Sequence, residues 1–334
     1  MCGMHFLVWI YDMIKIDITH NEKSISKGRK FIAGMVSGIV PCRMIRNRVR
    51  NIIKFGIFSA ARTIVAGGGV KNKYFLTVSA VARNEGRYFK EWIDYHRLVG
   101  VEKFYIFDNE STDNTFEILK PYIDAGVVEY HYVRGEGVQN RVNYAAVRRA
   151  AAEAHWLAVI DLDEFIMPVK DCTIPDFLRR IPQRTAQIFI RWCLYGSAGH
   201  VIRPAGLVIE NYKYRQRDNS GEANKIIVNP RMVVGCRSPH VFDVIWRSVD
   251  ERGHAVTPSN VIPGLSQDII RINHYRCKSW QDSQEKHTKG DAFWGSGYVR
   301  YTRADFDKFD TNDVYDNSMD KYARLLKKED DDGQ

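Results

Sequence analysis

From residue 74 to residue 160 the chain alternates between short apolar runs rich in β-branched and aromatic residues and longer stretches with helical spacing. Tyr74 to Ala82 (YFLTVSAVA) is the first run, and an amphipathic stretch through Trp92, Ile93, Tyr95, His96 and Val99 follows it. Lys103 to Phe107 predicts a second strand. Ser111 or Thr112 can cap the next helix, which runs to about Asp124 and is closed by Gly126. Val127 to Val133, Val138 to Ala154 and Trp156 to Ile160 repeat the cycle as strand, helix and strand. Strands joined by helical crossovers pair in parallel, with helices on both faces. The pattern therefore predicts an α/β fold with a mostly parallel, doubly wound sheet.

Sheets of this kind bind ligands at the carboxyl ends of their strands. Polar clusters fall there repeatedly: Asn84-Glu85 after the first strand, Asp108 and Asp113 after the second, and Asp161-Leu162-Asp163-Glu164 after the fourth. Side chains alternate along a strand, so Asp161 and Asp163 are predicted to point the same way. Two like charges repel unless something positive lies between them, and a divalent cation with oxygen ligands is the simplest candidate. Each residue also has a plainer reading. Asp113 can simply cap a helix, Glu85 can match a helix dipole, and Asp163 can be a surface carboxylate.

The second half is less regular. Ile174 to Ile181 reads as a helix, Ala186 to Cys193 as a strand, and Tyr195-Gly-Ser-Ala-Gly199 as a small-residue loop that lets backbone approach a ligand. Lys225 and Arg231 fit either partners of an anionic ligand or a solvated strand face, and Trp192 and Trp294 either core or an aromatic floor for a ligand. From about residue 279 the chain is polar and ends in Glu329-Asp-Asp-Asp332, which predicts a solvated or disordered end.

The net charge of +9 is uneven, because residues 23 to 84 hold 13 Lys and Arg and no acid. The basic character belongs to the N-terminal region, so nucleic-acid binding by the main domain is not implied. Ile45, Val49, Ile52, Ile53, Ile57, Ala60 and Ile64 follow helical spacing, with Arg43, Arg46, Arg50 and Lys54 on another face. Such a helix suits either an anionic membrane surface or packing on the main domain. Residues 4 to 14 are apolar but too short to span a bilayer, and no signal-peptide pattern is evident. The six cysteines have no CxxC spacing, which fits reduced thiols. The expected organisation is a basic region over 1–71, the α/β domain over 72–290 and a tail over 291–334.

With these residues in view the chain resembles glycosyltransferase family 92 and its family 2 relatives, which have the GT-A fold. The resemblance rests on Ala82-Arg-Asn-Glu85, Glu91-Trp-Ile-Asp-Tyr-His96, Phe107-Asp-Asn-Glu-Ser-Thr-Asp113, Ile160-Asp-Leu-Asp-Glu-Phe165, Tyr195-Gly-Ser-Ala-Gly199, Ile209-Glu210, Lys225-Ile-Ile-Val and Ile272-Asn-His-Tyr275, in order. It implies a nucleoside-diphosphate sugar donor, UDP- or GDP-linked, and a saccharide acceptor. Asn84, Glu85, Asp108 and Asp113 would line the nucleotide site, with Gly196 and Lys225 against the donor. Asp161 and Asp163 would hold Mn²⁺ or Mg²⁺, completed by His274 in preference to His240. Glu210 falls at the position of the catalytic base. Asn211 stands where many relatives carry Asp, which leaves Glu285 and Asp291 as alternatives for that role.

Two rival readings remain at this point. A phosphatase of the haloacid dehalogenase type also has a strand ending in DxD, but there the motif opens the domain, whereas three βα units precede it here. A non-catalytic membrane-surface scaffold is the other. The expected location is the cytoplasm, peripheral at the inner face of the membrane.

Overall fold

The structure is a computed structural model that describes residues 25–57, 72–288 and 302–332. It opens with two helices, α1 (Lys27–Gly38) and α2 (Arg43–Phe55), the first capped by Ser26 accepting from the Arg29 amide. The alternating region then forms β1 (Tyr74–Ala82), α3 (Gly86–Leu98), β2 (Lys103–Asp108), α4 (Thr115–Asp124), β3 (Val128–Tyr132), α5 (Gln139–Ala150) and β4 (Ala154–Val159). Gly126 takes a φ of +72° just past α4, a conformation that costs glycine little.

The chain continues through β5 (Glu164–Pro168), α6 (Ile174–Arg179), β6 (Thr185–Leu194), α7 (Val208–Asn211), β7 (Tyr214–Arg215) and β8 (Asn224–Val228). A hairpin of β9 (Val233–Ser238) and β10 (Val241–Val244) follows, then β11 (Arg247–Val249) and β12 (Ile270–His274). It closes with α8 (Trp280–Thr288), α9 (Arg303–Phe309), β13 (Val314–Tyr315) and α10 (Asp320–Asp332).

The central sheet runs β3-β2-β1-β4-β8-β6-β12-β5, with β11 on β6. Its first four strands are parallel, while β8 and β5 run against their neighbours. This is the α/β, GT-A type of sheet, mostly parallel with helices on both faces. Strand β2 shows why residues 104–107 are apolar without alternation: Phe104 and Ile106 enter one core, Tyr105 and Phe107 the other. The sheet curls, so that β5 at the far end of the order begins only five residues after β4 ends.

Two expectations change. The basic helix stops at Phe55, so its expected continuation through Ala60 and Ile64 lies outside the described residues. The polar end is folded over 302–332, with Phe306 buried and Met319, Tyr322, Ala323 and Leu326 in the main core. Its acid-rich sequence hides one apolar face, since Met319, Tyr322, Ala323 and Leu326 recur at helical spacing.

Candidate active site

The two aspartates sit on a turn, not on a strand. Strand β4 ends at Val159, and the Glu164 amide donates to the Asp161 carbonyl at 3.1 Å. The strand-alternation argument therefore does not apply, and the two carboxylates meet different cations. Lys225 Nζ on β8 donates to Asp161 Oδ2 at 2.8 Å, and Gln139 Nε2 donates to its Oδ1 at 3.3 Å. Lys286 on α8 donates to Asp163 Oδ2, and His274 Nε2 stands 3.5 Å from that same oxygen. Asp161 remains part-exposed, whereas Asp163 is buried.

Burial works against every charge here, and the pairing decides the outcome. Burial would raise the Asp163 carboxyl, yet Lys286 and His274 hold it well below the usual range. Burial would lower Lys225, but Asp161 and Glu164 keep it above its ordinary value. Burial also lowers His274 despite the pull of Asp163, so its imidazole stays neutral near pH 7 and Nε2 can act as a ligand. Glu164 is fully buried, and burial pushes it well up against the attraction of Lys225, 3.6 Å away.

Helix α3 fixes this turn, and here the Glu91-Trp-Ile-Asp-Tyr-His96 block finds its physical reason. Trp92 Nε1 donates to the Glu164 carbonyl at 2.9 Å, and Tyr95 Oη donates to the Ile166 carbonyl at 3.0 Å. His96 lies 2.8 Å from the Trp92 carbonyl through Nδ1 and accepts from the Ile166 amide through Nε2 at 3.3 Å. Burial lowers His96 to about 3, so it serves as a neutral strut, Nδ1 donating and Nε2 accepting. Glu91 reaches the other way and accepts from the amides of Val208 and Ile209, at 2.8 and 3.0 Å, at the start of α7. One helix thus positions both the aspartate turn and the segment carrying Glu210.

The acidic residues after β1 and β2 hold their own loops together. Asp108 accepts from the Ser111 amide at 2.9 Å and from Tyr130 Oη at 2.6 Å. Asn84 Oδ1 accepts from the Thr112 amide at 2.7 Å, and its backbone takes a φ of +55°. Asp113 accepts from the amides of Gly86 and Thr115, joining the first turns of α3 and α4. Glu85 precedes α3 and lies within electrostatic reach of Lys286.

The remaining expected residues separate into near and far. Lys225 is buried beside Asp161, which excludes the solvated-face reading. Arg231 donates to Asn72 Oδ1 at 2.5 Å, close to His155 at the start of β4, so it lies at the opposite sheet edge from Asp161. Gly196 packs against the 311–312 segment, where a Cβ would come within 2.4 Å of the Thr311 carbonyl. Glu210 pairs with Lys327 of α10, and Asn211 Nδ2 donates to the carbonyls of Ala205 and Leu207. Glu285 is tied to Arg203 and Arg87, while Asp291 and Trp294 lie outside the described residues.

His240, at the tip of the β9–β10 hairpin, lies 2.8 Å from the Asn224 carbonyl through Nδ1, and burial lowers it to about 4. Trp192 stands between it and His274, with ring centroids 5.2 and 4.4 Å away. Its Nε1 and His274 Nδ1 are buried without a hydrogen-bond partner among the described residues. Two cations were missed in the sequence. Lys286 was concealed in the polar end, although a basic residue 12 positions after His274 on a helix is visible once α8 is recognised. Lys278 is buried, takes a φ of +49°, lies 4.5 Å from the Tyr88 ring centroid and attracts Asp163 electrostatically.

Asp163 and His274 offer an oxygen and a neutral nitrogen 3.5 Å apart. Adjacent ligands of an octahedral ion at about 2.1 Å lie about 3 Å apart, so the pair fits one small divalent cation. Among the described residues no three His, Cys, Asp or Glu side chains converge, so the ion would need phosphate oxygens or water as well. That is the usual arrangement for Mg²⁺ on a nucleotide, and a set with one imidazole also suits Mn²⁺.

A glycosyltransferase family 92 protein of Oryza sativa subsp. japonica is 25% identical over 220 residues, covering 65% of this chain and 35% of the relative. One from Ricinus communis is 29% identical over 230 residues, covering 65% and 37%. The chain thus spans little more than a third of the length of the curated relatives it matches. Among solved structures, Staphylococcus aureus TarS in complex with UDP-GlcNAc aligns at 15% identity and TM-score 0.35, over 47% of this chain and 46% of that one. Glucosyl-3-phosphoglycerate synthase of Mycobacterium tuberculosis aligns at 15% and 0.28, over 52% and 61%. The family model described as Glycosyltransferase family 92 matches residues 78–292, which contain the aspartate turn, Lys225, His274 and α8, and the chain belongs to that family.

Proposed function

We propose that the protein transfers a hexose from a UDP- or GDP-linked donor to a saccharide acceptor, with inversion, and that Asp163 and His274 hold a Mn²⁺ or Mg²⁺ ion. The reading is supported most by one observation: a buried carboxylate and a neutral imidazole face each other beyond the carboxyl end of β4, with two lysines in reach. The bound ion would supply neutralisation of diphosphate charge as the glycosidic bond breaks.

This chain's own residues have separate tasks. Lys278 and Lys286 add positive charge where the leaving diphosphate would gather it. Lys286 now donates to Asp163, so it would turn to phosphate when the ion takes that oxygen. Lys225 and Gln139 orient Asp161, and Trp192 offers an aromatic wall beside His274. An attacking hydroxyl must lose a proton, and Glu210 is the carboxylate assigned to accept it. For that its pair with Lys327 must open, which an acceptor entering near α10 would bring about. Synthesis of a cell-surface polysaccharide at the cytoplasmic face of a membrane is the setting we propose.

The test is incubation of the purified protein with Mn²⁺ and a panel of UDP- and GDP-hexoses, with release of nucleotide as the readout. Turnover should appear with one donor and disappear with Asp163→Ala. Equal turnover by that variant would refute the site, and binding of no nucleotide at all would favour the scaffold reading.

A further inference from the structure

Helix α1 is built inside out. Its buried residues are the small Ala33 and Ser37, while Phe31, Ile32, Met35 and Val36 are 68%, 54%, 61% and 44% exposed. Ile39, just past its end, is 82% exposed. A spacing of four puts Phe31, Met35 and Ile39 on one ridge, with Ile32 and Val36 beside it. Isolated exposed apolar residues are ordinary, but a contiguous ridge on a helix marks a docking surface.

The other side of the helical pair is anchored to the body. Asn51 Nδ2 donates to the Val244 carbonyl at 3.0 Å, and Lys54 pairs with the buried Asp243 at 3.1 Å. The Phe55 ring lies over Gly235, where a Cβ would come within 2.4 Å of it. Three members of the basic stripe on α2 are engaged inside the protein: Lys54 as above, Arg46 with the Val40 carbonyl and Arg50 with Asn47. Of the two helices, α1 therefore carries the contiguous outward ridge, while α2 exposes Ile45 at 50% and half-buries Val49, Ile52 and Ile53.

Charge identifies the occupant. Residues 25–57 contain eight Lys and Arg and no Asp or Glu. A second copy of the chain would bring the same excess of positive charge to the interface, which opposes self-association. We infer that α1 docks on an anionic lipid bilayer. Phe31, Ile32, Met35 and Ile39 enter the acyl boundary, and the exposed Lys27, Lys30 and Arg43 meet lipid phosphates. The attachment is peripheral, since no helix among the described residues is long and apolar enough to cross a membrane. It is independent of the catalytic reading.

The experiment is flotation of the full chain with vesicles of phosphatidylcholine, alone or mixed with phosphatidylglycerol. The parent should float with the anionic vesicles only, and less as salt is raised. A Phe31→Asp, Met35→Asp, Ile39→Asp variant should lose flotation by roughly tenfold or more, and a Lys27→Ala, Lys30→Ala, Arg43→Ala variant by a comparable factor. Circular dichroism and melting of both variants should match the parent, because these side chains are exposed. Flotation of the triple aspartate variant at the parent's level would overturn the inference. So would absence of parent flotation, or a parent dimer that the aspartates dissociate.

Discussion

The two halves of the central sheet treat their acidic residues differently. In the parallel half, β3-β2-β1-β4, Asp108 and Asp113 accept hydrogen bonds from nearby amides and hydroxyls and close the loops after β1 and β2. At the junction with the mixed half, Asp161 and Asp163 are answered by lysines from β8 and α8 and by the neutral imidazole of His274 from β12. Backbone amides fix a loop and leave little charge over. Side-chain partners can be exchanged for a metal ion or turn to a phosphate, so the carboxylates they serve are the ones fitted for chemistry.

Four substitutions probe that contrast, from the largest expected effect to the smallest. Asp163→Asn should lower donor turnover by about 10³-fold, about 4 kcal/mol, because the ion and the lysine both lose their partner. Steady-state nucleotide release measures it, and parent-like turnover would place the chemistry elsewhere. Lys225→Met should destabilise the fold by about 3 kcal/mol, because Asp161 loses its paired cation and the buried Glu164 loses the attraction that opposes its burial. Adding Glu164→Gln should restore much of the loss in urea unfolding, and no recovery would mean that Lys225 acts through packing alone.

Glu91 carries a pH signature. Burial pushes its carboxyl up to about 7, against the two amides it serves, from an ordinary value of 4.5. Between those values the folded protein keeps a proton that the unfolded chain has released. Its contribution to stability is therefore full below about 4.5, falls as pH rises towards about 7 and levels off above. Glu91→Gln should flatten that slope, a change of at most about 3 kcal/mol seen in melting temperature across pH 5 to 8. An unchanged slope would remove Glu91 as its source. Asp113→Ala should cost about 1 kcal/mol of stability, as a lost helix cap does, and should leave turnover per folded molecule close to the parent's. A large fall in turnover would dissolve the distinction between the two halves.

The same contrast explains what was legible in the sequence. The parallel half was readable because β1, β2 and β4 carry apolar residues on both faces and each helix has one apolar stripe, so local pattern and tertiary role coincide. The aspartate turn, Lys225 and His274 were found as motifs, and all three meet in space. Their geometry was not readable, since a turn at 161–164 and a strand look alike over four residues. Lys286, Lys278 and Glu91 act across separations set by the curl of the sheet, which no local spacing encodes. The folded end and the inverted helix α1 were missed for related reasons. In α10 a strongly charged surface masks a narrow apolar stripe, and in α1 the small residues face inward while the large ones do not.

Calorimetric titration of UDP and GDP into the full chain, with and without Mn²⁺, tests the central claim most directly when run beside Asp163→Asn and Lys278→Met. The expected result is binding of one nucleotide that Mn²⁺ strengthens by at least about tenfold, with that enhancement lost in Asp163→Asn. In Lys278→Met the enhancement should remain while affinity falls at both metal conditions. Nucleotide binding indifferent to Mn²⁺ and identical in all three proteins would contradict a diphosphate and metal site at the end of β4.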